Sequence, residues 1–326
     1  MQKLLFDQND KLFYCYLDTS VSFIGEILCI ISLIIFFNSK FKENFYNYIR
    51  IELIFTCLIL FIYILRSCYY CKDTRLGTYT INIMHIFNRF ARNTFELSAI
   101  IVSILSTIEF YLLLINQHKS KYNLLSRISY IINALLVLIL SSLIFSYRLF
   151  ETDILKFKYN NVTFGNKSDL YYISNSKFSN SYLFRINNVA SFLLLGGISG
   201  IVLLILNIVI FVKVKQILHK KQIVQGATAI NTQRKSSLNI ENTKRSMILM
   251  VFVGSANTII GNMPQLVFYI FEVFKIKMNN DFFKYSSLAA HTFLALSFTI
   301  KFILYYWTNN LFRNTFHDYF RILFHI

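Results

Sequence analysis

Along most of this chain apolar residues neither alternate with polar ones nor recur at the spacing of one helix face. They run unbroken for about twenty residues at a time between short polar stretches. A bilayer's hydrocarbon core is about 30 Å thick and is crossed by a helix of about twenty residues. A helix also satisfies its own backbone polar groups, as any segment inside lipid must. The runs predict helices near 20–38, 46–65, 84–114, 128–149, 187–214, 245–272 and 285–307. After Trp307 the pattern changes: Phe312, Phe316 and Phe320 recur every four residues, which places three rings on one face of a short helix lying in the membrane interface. The expected fold is all-α, a seven-transmembrane helix bundle with a short C-terminal interfacial helix.

Composition agrees with this pattern. Of 326 residues, 55% are hydrophobic and only 15% charged, with a mean hydropathy of +0.50, against about 25% charged in soluble domains. The spans and their loops occupy nearly the whole chain, so no stretch is left for a separate catalytic domain, and signalling or transport precedes enzymology. A formal charge of +17 raises the question of nucleic acid. Nucleic-acid binding needs a basic face on one module, whereas these Lys and Arg are scattered through the loops, so the expected surroundings are the lipid bilayer and no nucleic acid. The six histidines show no spacing for a metal or for acid–base work, and no catalytic residue, metal or cofactor is expected.

Orientation rests on two features, because basic residues divide almost evenly between the sides. The tail before the first span is acidic (Asp7, Asp10, Asp18) and the loop after it is basic (Lys40, Lys42), which favours an extracellular N-terminus. Residues 1–19 lack the apolar core and cleavage site of a signal peptide, so the first span would insert itself. Both Asn-x-Ser/Thr sequons, at Asn161 and Asn166, fall in the long loop between spans four and five, which this orientation places outside as a glycosylated loop. The resulting division is an extracellular N-terminus at 1–19, a membrane domain at 20–307 and a cytoplasmic tail at 308–326, in a multi-pass protein of the plasma membrane. Cys15, Cys68 and Cys71 would then lie outside, where Cys15 can pair with Cys68 or with Cys71.

Charges inside spans cost about 2.5–3.5 kcal/mol each on insertion scales and ask for a reason. Spans one, two, three and seven carry Glu26, Glu52, Glu96, Glu109 and Lys301, with Arg89 and Arg92 in the outer turns of span three. Glu26 and Lys301 are the most deeply placed opposite charges and are expected to pair; the alternative is a Lys301 that snorkels to the headgroups. Span six holds the chain's only proline, Pro264, three residues after Gly261. Pro264 has no N–H for the Ile260 carbonyl, so a kink is expected there, either a hinge or a static bend. The polar loop from Lys213 to Arg245 is basic and suits anionic lipid or a cytoplasmic partner.

In their order along the chain these residues resemble a rhodopsin-like (class A) G-protein-coupled receptor of a divergent invertebrate type, peptide- or chemoreceptor-like. The resemblance covers all seven spans and the terminal helix. Lys301-Phe302-Ile303-Leu304-Tyr305, followed by Asn309 and Phe312-Arg313, is similar to the family's Asn-Pro-x-x-Tyr motif and the Phe-Arg that opens its eighth helix, with Lys301 and Phe302 replacing Asn and Pro. Glu109-Phe110-Tyr111 resembles the Asp/Glu-Arg-Tyr triplet without its arginine, Gly25-Glu26 the Gly-Asn of span one, and Asn262-Met263-Pro264 the Cys-Trp-x-Pro of span six. The resemblance implies an intramembrane network at Glu26, Cys57 and Lys301, a G-protein-facing role for Lys244 and Arg245, and an extracellular peptide or small-molecule ligand signalling to a heterotrimeric G protein. The loop after span four has no cysteine, so the family's disulfide to span three cannot form. The retinal lysine's position holds Ala295, which excludes an opsin. The rival reading is a seven-helix ligand-gated channel of inverted topology or a small transporter; a transporter should show an internal repeat, and none is found.

Overall fold

The computed structural model describes residues 13–71, 78–115, 129–160, 167–225, 234–273 and 280–324. Seven helices among them are long and apolar enough to cross a membrane. A π-turn at Phe13–Asp18 leads into span one, Thr19–Phe36; span two is Asn44–Cys71, span three Thr78–Ile115, and span four Tyr130–Phe145 with a 3-10 turn to Phe150. Span five runs from Tyr182 to Gln225 through a π-turn at Leu193–Ile198, span six is Arg234–Val273 and span seven Asn280–Thr308, and the terminal helix is Asn310–Phe324. The all-α bundle with its C-terminal helix is therefore the observed fold, and the chain is a multi-pass membrane protein.

Several helices outrun their apolar stretches. Span three starts at Thr78 and span six at Arg234, because apolarity marks only the lipid-crossing length while backbone bonding continues until a breaker or cap stops it. No Gly or Pro lies between Arg234 and the first lipid-crossing residues of span six. The loop between spans four and five adds an element the apolar runs do not announce, an antiparallel hairpin of β1 (Thr152–Asn160) and β2 (Lys167–Asn175) in continuous register from Thr152↔Asn175 to Asn160↔Lys167. Asn161 and Asn166 lie between the strands, outside the described residues.

Neighbouring spans pack antiparallel, span seven closes the ring against span one, and span three lies inside, touching spans two, four and five. Burial ranks them: 61% of span two's apolar window is buried, against 28% for spans four and five. Span four accordingly exposes Ile131, Leu135, Ile139 and Leu143, and span five Ile201, Leu204, Ile208 and Phe211, as lipid-facing rows. The main core joins spans one, two, three and seven; a smaller one at the other end joins Leu97, Phe145, Tyr147, Phe184 and Leu195.

Two close approaches set the rotation of the helices around span seven. A Cβ on Gly25 would collide with Thr299 Oγ1, and one on Gly261 would lie 2.6 Å from Ser297 Cβ. Spans one and six can approach this closely because nothing projects from those positions. Gly25→Val and Gly261→Val are each expected to cost about 1–3 kcal/mol of stability by overpacking. Gly200→Ala, facing open space, should be neutral or stabilising; thermal melting of the detergent-solubilised protein compares the three.

Candidate functional site

Span seven carries a lysine into the apolar interior, and the fold neutralises it. Lys301 Nζ lies 2.6 Å from Glu52 Oε1 of span two, with only 3% and 7% of the two side chains exposed. The ammonium also sits 5.3 Å from the centre of the Phe298 ring. The expected partner, Glu26, is not the one used. Gly25 is the residue of span one that faces span seven, so Glu26 is turned about 100° around its helix away from that seam. Glu26 Oε2 is buried without a hydrogen bond. Cys57 likewise meets Cys29 of span one, at an Sγ–Sγ distance of 3.0 Å, and both are free thiols; Cys29 in turn donates to the Leu53 carbonyl. The expected single network is thus two neighbouring ones, a thiol pair between spans one and two and an ion pair between spans two and seven.

Glu52 also lines a narrow cleft between spans two, three, six and seven. Ser103, Ser106, Thr107, Ser255 and Tyr305 supply its other polar lining, and its water-accessible space is about 20 Å³, room for about one ordered water. Below the cleft, span seven turns into the terminal helix at Asn309. The Asn309 side chain accepts the Phe312 N–H at 3.1 Å as a cap, and its Nδ2 reaches Met250 Sδ of span six at 3.3 Å. Phe312 is fully buried against Phe36 of span one, Phe302 and Tyr305. Tyr305, Asn309 and Phe312 are therefore brought together, while Arg313 stays near the surface and bonds Asn310.

Glu109, Phe110 and Tyr111 stand at the same end of the bundle. Glu109 is buried beside Asn44 and Tyr48 of span two, and Tyr48 receives a 2.8 Å bond from Asn133 of span four. Phe110 packs on Phe45 at 5.4 Å. The described neighbours of this acid thus lie on span two; the side chains of Lys244 and Arg245 are outside the described residues, as are those of Cys15, Cys68 and Cys71. In span six the helix continues through Pro264. Two turns earlier it is fastened to span seven, where Asn257 Nδ2 donates to the Ser297 carbonyl at 2.7 Å, one turn from the Gly261 contact. Asn262 bonds back to Thr258 at 2.8 Å.

The opposite end has its own polar clasp, which residue spacing did not reveal. Glu151, at the foot of the hairpin, bonds Arg89 of span three at 3.0 Å and Arg148 at 2.9 Å. Arg148 reaches Asn188 of span five and lies over the rings of Tyr147, Phe184 and Phe192. An ionic tether thereby joins the loop to span three, where the loop's sequence offers no cysteine. One helical turn below Arg89, Arg92 meets buried Glu96 at 3.4 Å, and Tyr63 of span two reaches the same carboxylate at 3.5 Å. The alternation of Leu155, Phe157 and Tyr159 with Lys156 and Lys158 is the strand signal that could have located the hairpin.

Seven spans, an interfacial helix and a charged, water-sized interior define the protein's class as a seven-span helical membrane protein. No protein-family model matches the chain, and no curated protein matches it as a relative. A buried pair broken on one side costs about 3–5 kcal/mol, because one charge is left unpaired. Lys301→Met and Glu52→Gln should therefore each destabilise strongly, and the double variant should recover most of the loss in thermal melts. Glu26→Gln should change little; a coupling between Lys301 and Glu26 larger than that with Glu52 would refute the assignment.

Proposed function

We propose that the chain is a receptor that carries an extracellular signal, a peptide or small molecule, to a heterotrimeric G protein in the manner of the rhodopsin-like receptors it resembles. The observation that carries this reading is the assembly at one end of the bundle: the cleft walled by spans two, three, six and seven, with Tyr305 in its wall and Phe312 seating the terminal helix beneath it. Span six meets that assembly through Met250, Val251, Gly254 and Ser255, so a shift of its Arg234-side half would open the cleft.

In this reading ligand binds on the hairpin side, beneath the loop tethered by Glu151, and favours a form in which that half of span six swings away about Pro264. The swing must release the Asn257–Ser297 bond, lift Gly261 from its seat and part Met250 from Asn309. A single hydrogen bond of this kind contributes about 1 kcal/mol. The resting form is thus held by contacts that a ligand of ordinary affinity can overcome. The Glu52–Lys301 pair, between spans two and seven, stays closed and serves as the fixed frame.

Two measurements test the reading. Asn257→Ala should raise agonist-free activation of at least one member of a panel of co-expressed Gα subunits by about fivefold, the equivalent of one lost hydrogen bond, at unchanged surface level. Pro264→Ala should lower it. Panel activation unchanged from wild type in both variants, each at normal surface level, would count against G-protein coupling. Orientation is read from a glycosidase-sensitive gel shift: the wild type should shift and the Asn161→Gln, Asn166→Gln double variant should not. Cytosolic protease access to the 150–186 loop would instead favour the inverted channel.

A further inference from the structure

The bundle end that carries the terminal helix has a second cavity, open to its surroundings and separate from the interior cleft. It lies between the turn after span one and the terminal helix, and Asn38, Lys40, Thr315, Asp318, Tyr319, Arg321 and Ile322 line about 490 Å³ of water-accessible space. Exposed polar groups of the turn and the terminal helix bond to one another along its wall. Lys40 Nζ pairs with Asp318 Oδ2 at 2.8 Å, the Lys40 N–H donates to Asn38 Oδ1 at 3.0 Å, and Asn38 Nδ2 donates to the Tyr319 hydroxyl at 3.1 Å. Arg50 fixes the turn from behind by donating to the Phe36 and Phe41 carbonyls, each at 2.8 Å. On the floor, Thr315 is 1% exposed and its hydroxyl has no partner. A buried hydroxyl without a bond is costly and asks for an acceptor.

We propose that this groove holds the phosphate of an anionic glycerophospholipid headgroup, with Lys40 and Arg321 as its cations and the Thr315 hydroxyl donating from the floor. The lining carries two cations and one carboxylate, so the site favours an anion while Asp318 limits how strongly. Lipid is favoured over a soluble phosphate by what flanks the groove. Ile322, 72% exposed, forms part of its wall. An amphipathic helix with Ile322 outward beside the groove lies at the acyl boundary, where a headgroup held by Lys40 and Arg321 leaves its chains against apolar surface. The Lys40 hydrogen bond and charge hold the Asp318 carboxyl below its usual range, so at neutral pH the carboxylate is ionised and competes with the lipid for Lys40. The inference depends on the membrane setting and not on coupling to a G protein.

Native mass spectrometry of the full-length detergent-purified protein, titrated with palmitoyl-oleoyl phosphatidylserine and the matching phosphatidylcholine, tests it. Wild type should prefer the anionic lipid. A basic residue near an anionic surface is worth about fivefold in affinity. Arg321→Gln should therefore weaken phosphatidylserine binding about fivefold, with phosphatidylcholine unchanged. Asp318→Asn should strengthen it by freeing Lys40 and removing a competing negative charge. Thr315→Val should weaken it, whereas Lys42→Gln, outside the groove, should have a smaller effect than Arg321→Gln. Equal losses in Lys42→Gln and Arg321→Gln would reduce the site to general surface charge and overturn the proposal. Displacement by soluble glycerophosphoserine at the lipid's own concentration would overturn the lipid assignment.

Discussion

A lysine placed inside a membrane span has to be neutralised or brought to water, and the organisation of this bundle follows from how Lys301 is neutralised. Its ammonium is almost fully buried and meets Glu52 at 2.6 Å. An ion pair in low dielectric gains little net stability over an apolar core, but separating it is expensive. The pair therefore acts as a geometric constraint, fixing the rotation of spans two and seven relative to each other. The interior cleft takes its charge and its polar lining from the same place.

Span seven is the element on which these constraints converge. Ser297 accepts a bond from span six, Thr299 meets Gly25 of span one and bonds the Val21 carbonyl at 3.3 Å, and Lys301 reaches span two. Within about one helical turn the same helix is tied to three neighbours, through directional polar contacts and glycine-mediated close approach. Asn309 then ends the helix and caps the next one, and Phe312 packs into an aromatic cluster with Phe36, Phe302 and Tyr305. The terminal helix is thereby packed against the bundle and cannot drift along the membrane surface as an independent amphipathic segment.

The two ends of the bundle are stabilised differently. At the hairpin end, charges do most of the tying: Glu151 bridges Arg89 and Arg148, and Arg148 is enclosed by aromatic rings. At the terminal-helix end, apolar rings dominate, with Phe36, Phe41, Phe45, Tyr46 and Phe110 almost fully buried. The second arrangement leaves little polar surface inside that half, so the Asn257–Ser297 bond, the Gly261 seat and the Asn309–Met250 contact are among the specific contacts that hold span six.

Residue order alone determined the number and sequence of the spans and the presence of an interfacial helix, because bilayer thickness and helical periodicity are local properties written into consecutive residues. It also singled out Lys301, Tyr305, Asn309 and Phe312, which the structure brings to one end of the bundle, and it marked Glu52 as an acid within a span without assigning its partner. Helix ends were less legible, since helical bonding continues past the lipid boundary, and so was the hairpin, whose short alternation is a weaker signal than a long apolar run. Only the tertiary structure decided which acid neutralises Lys301. Glu26 and Glu52 look alike along the chain; the choice between them depends on the rotation of span one, which the seat of Gly25 on Thr299 sets. That contact joins residues far apart in sequence, and helix rotation is a property of packed neighbours that no local pattern contains.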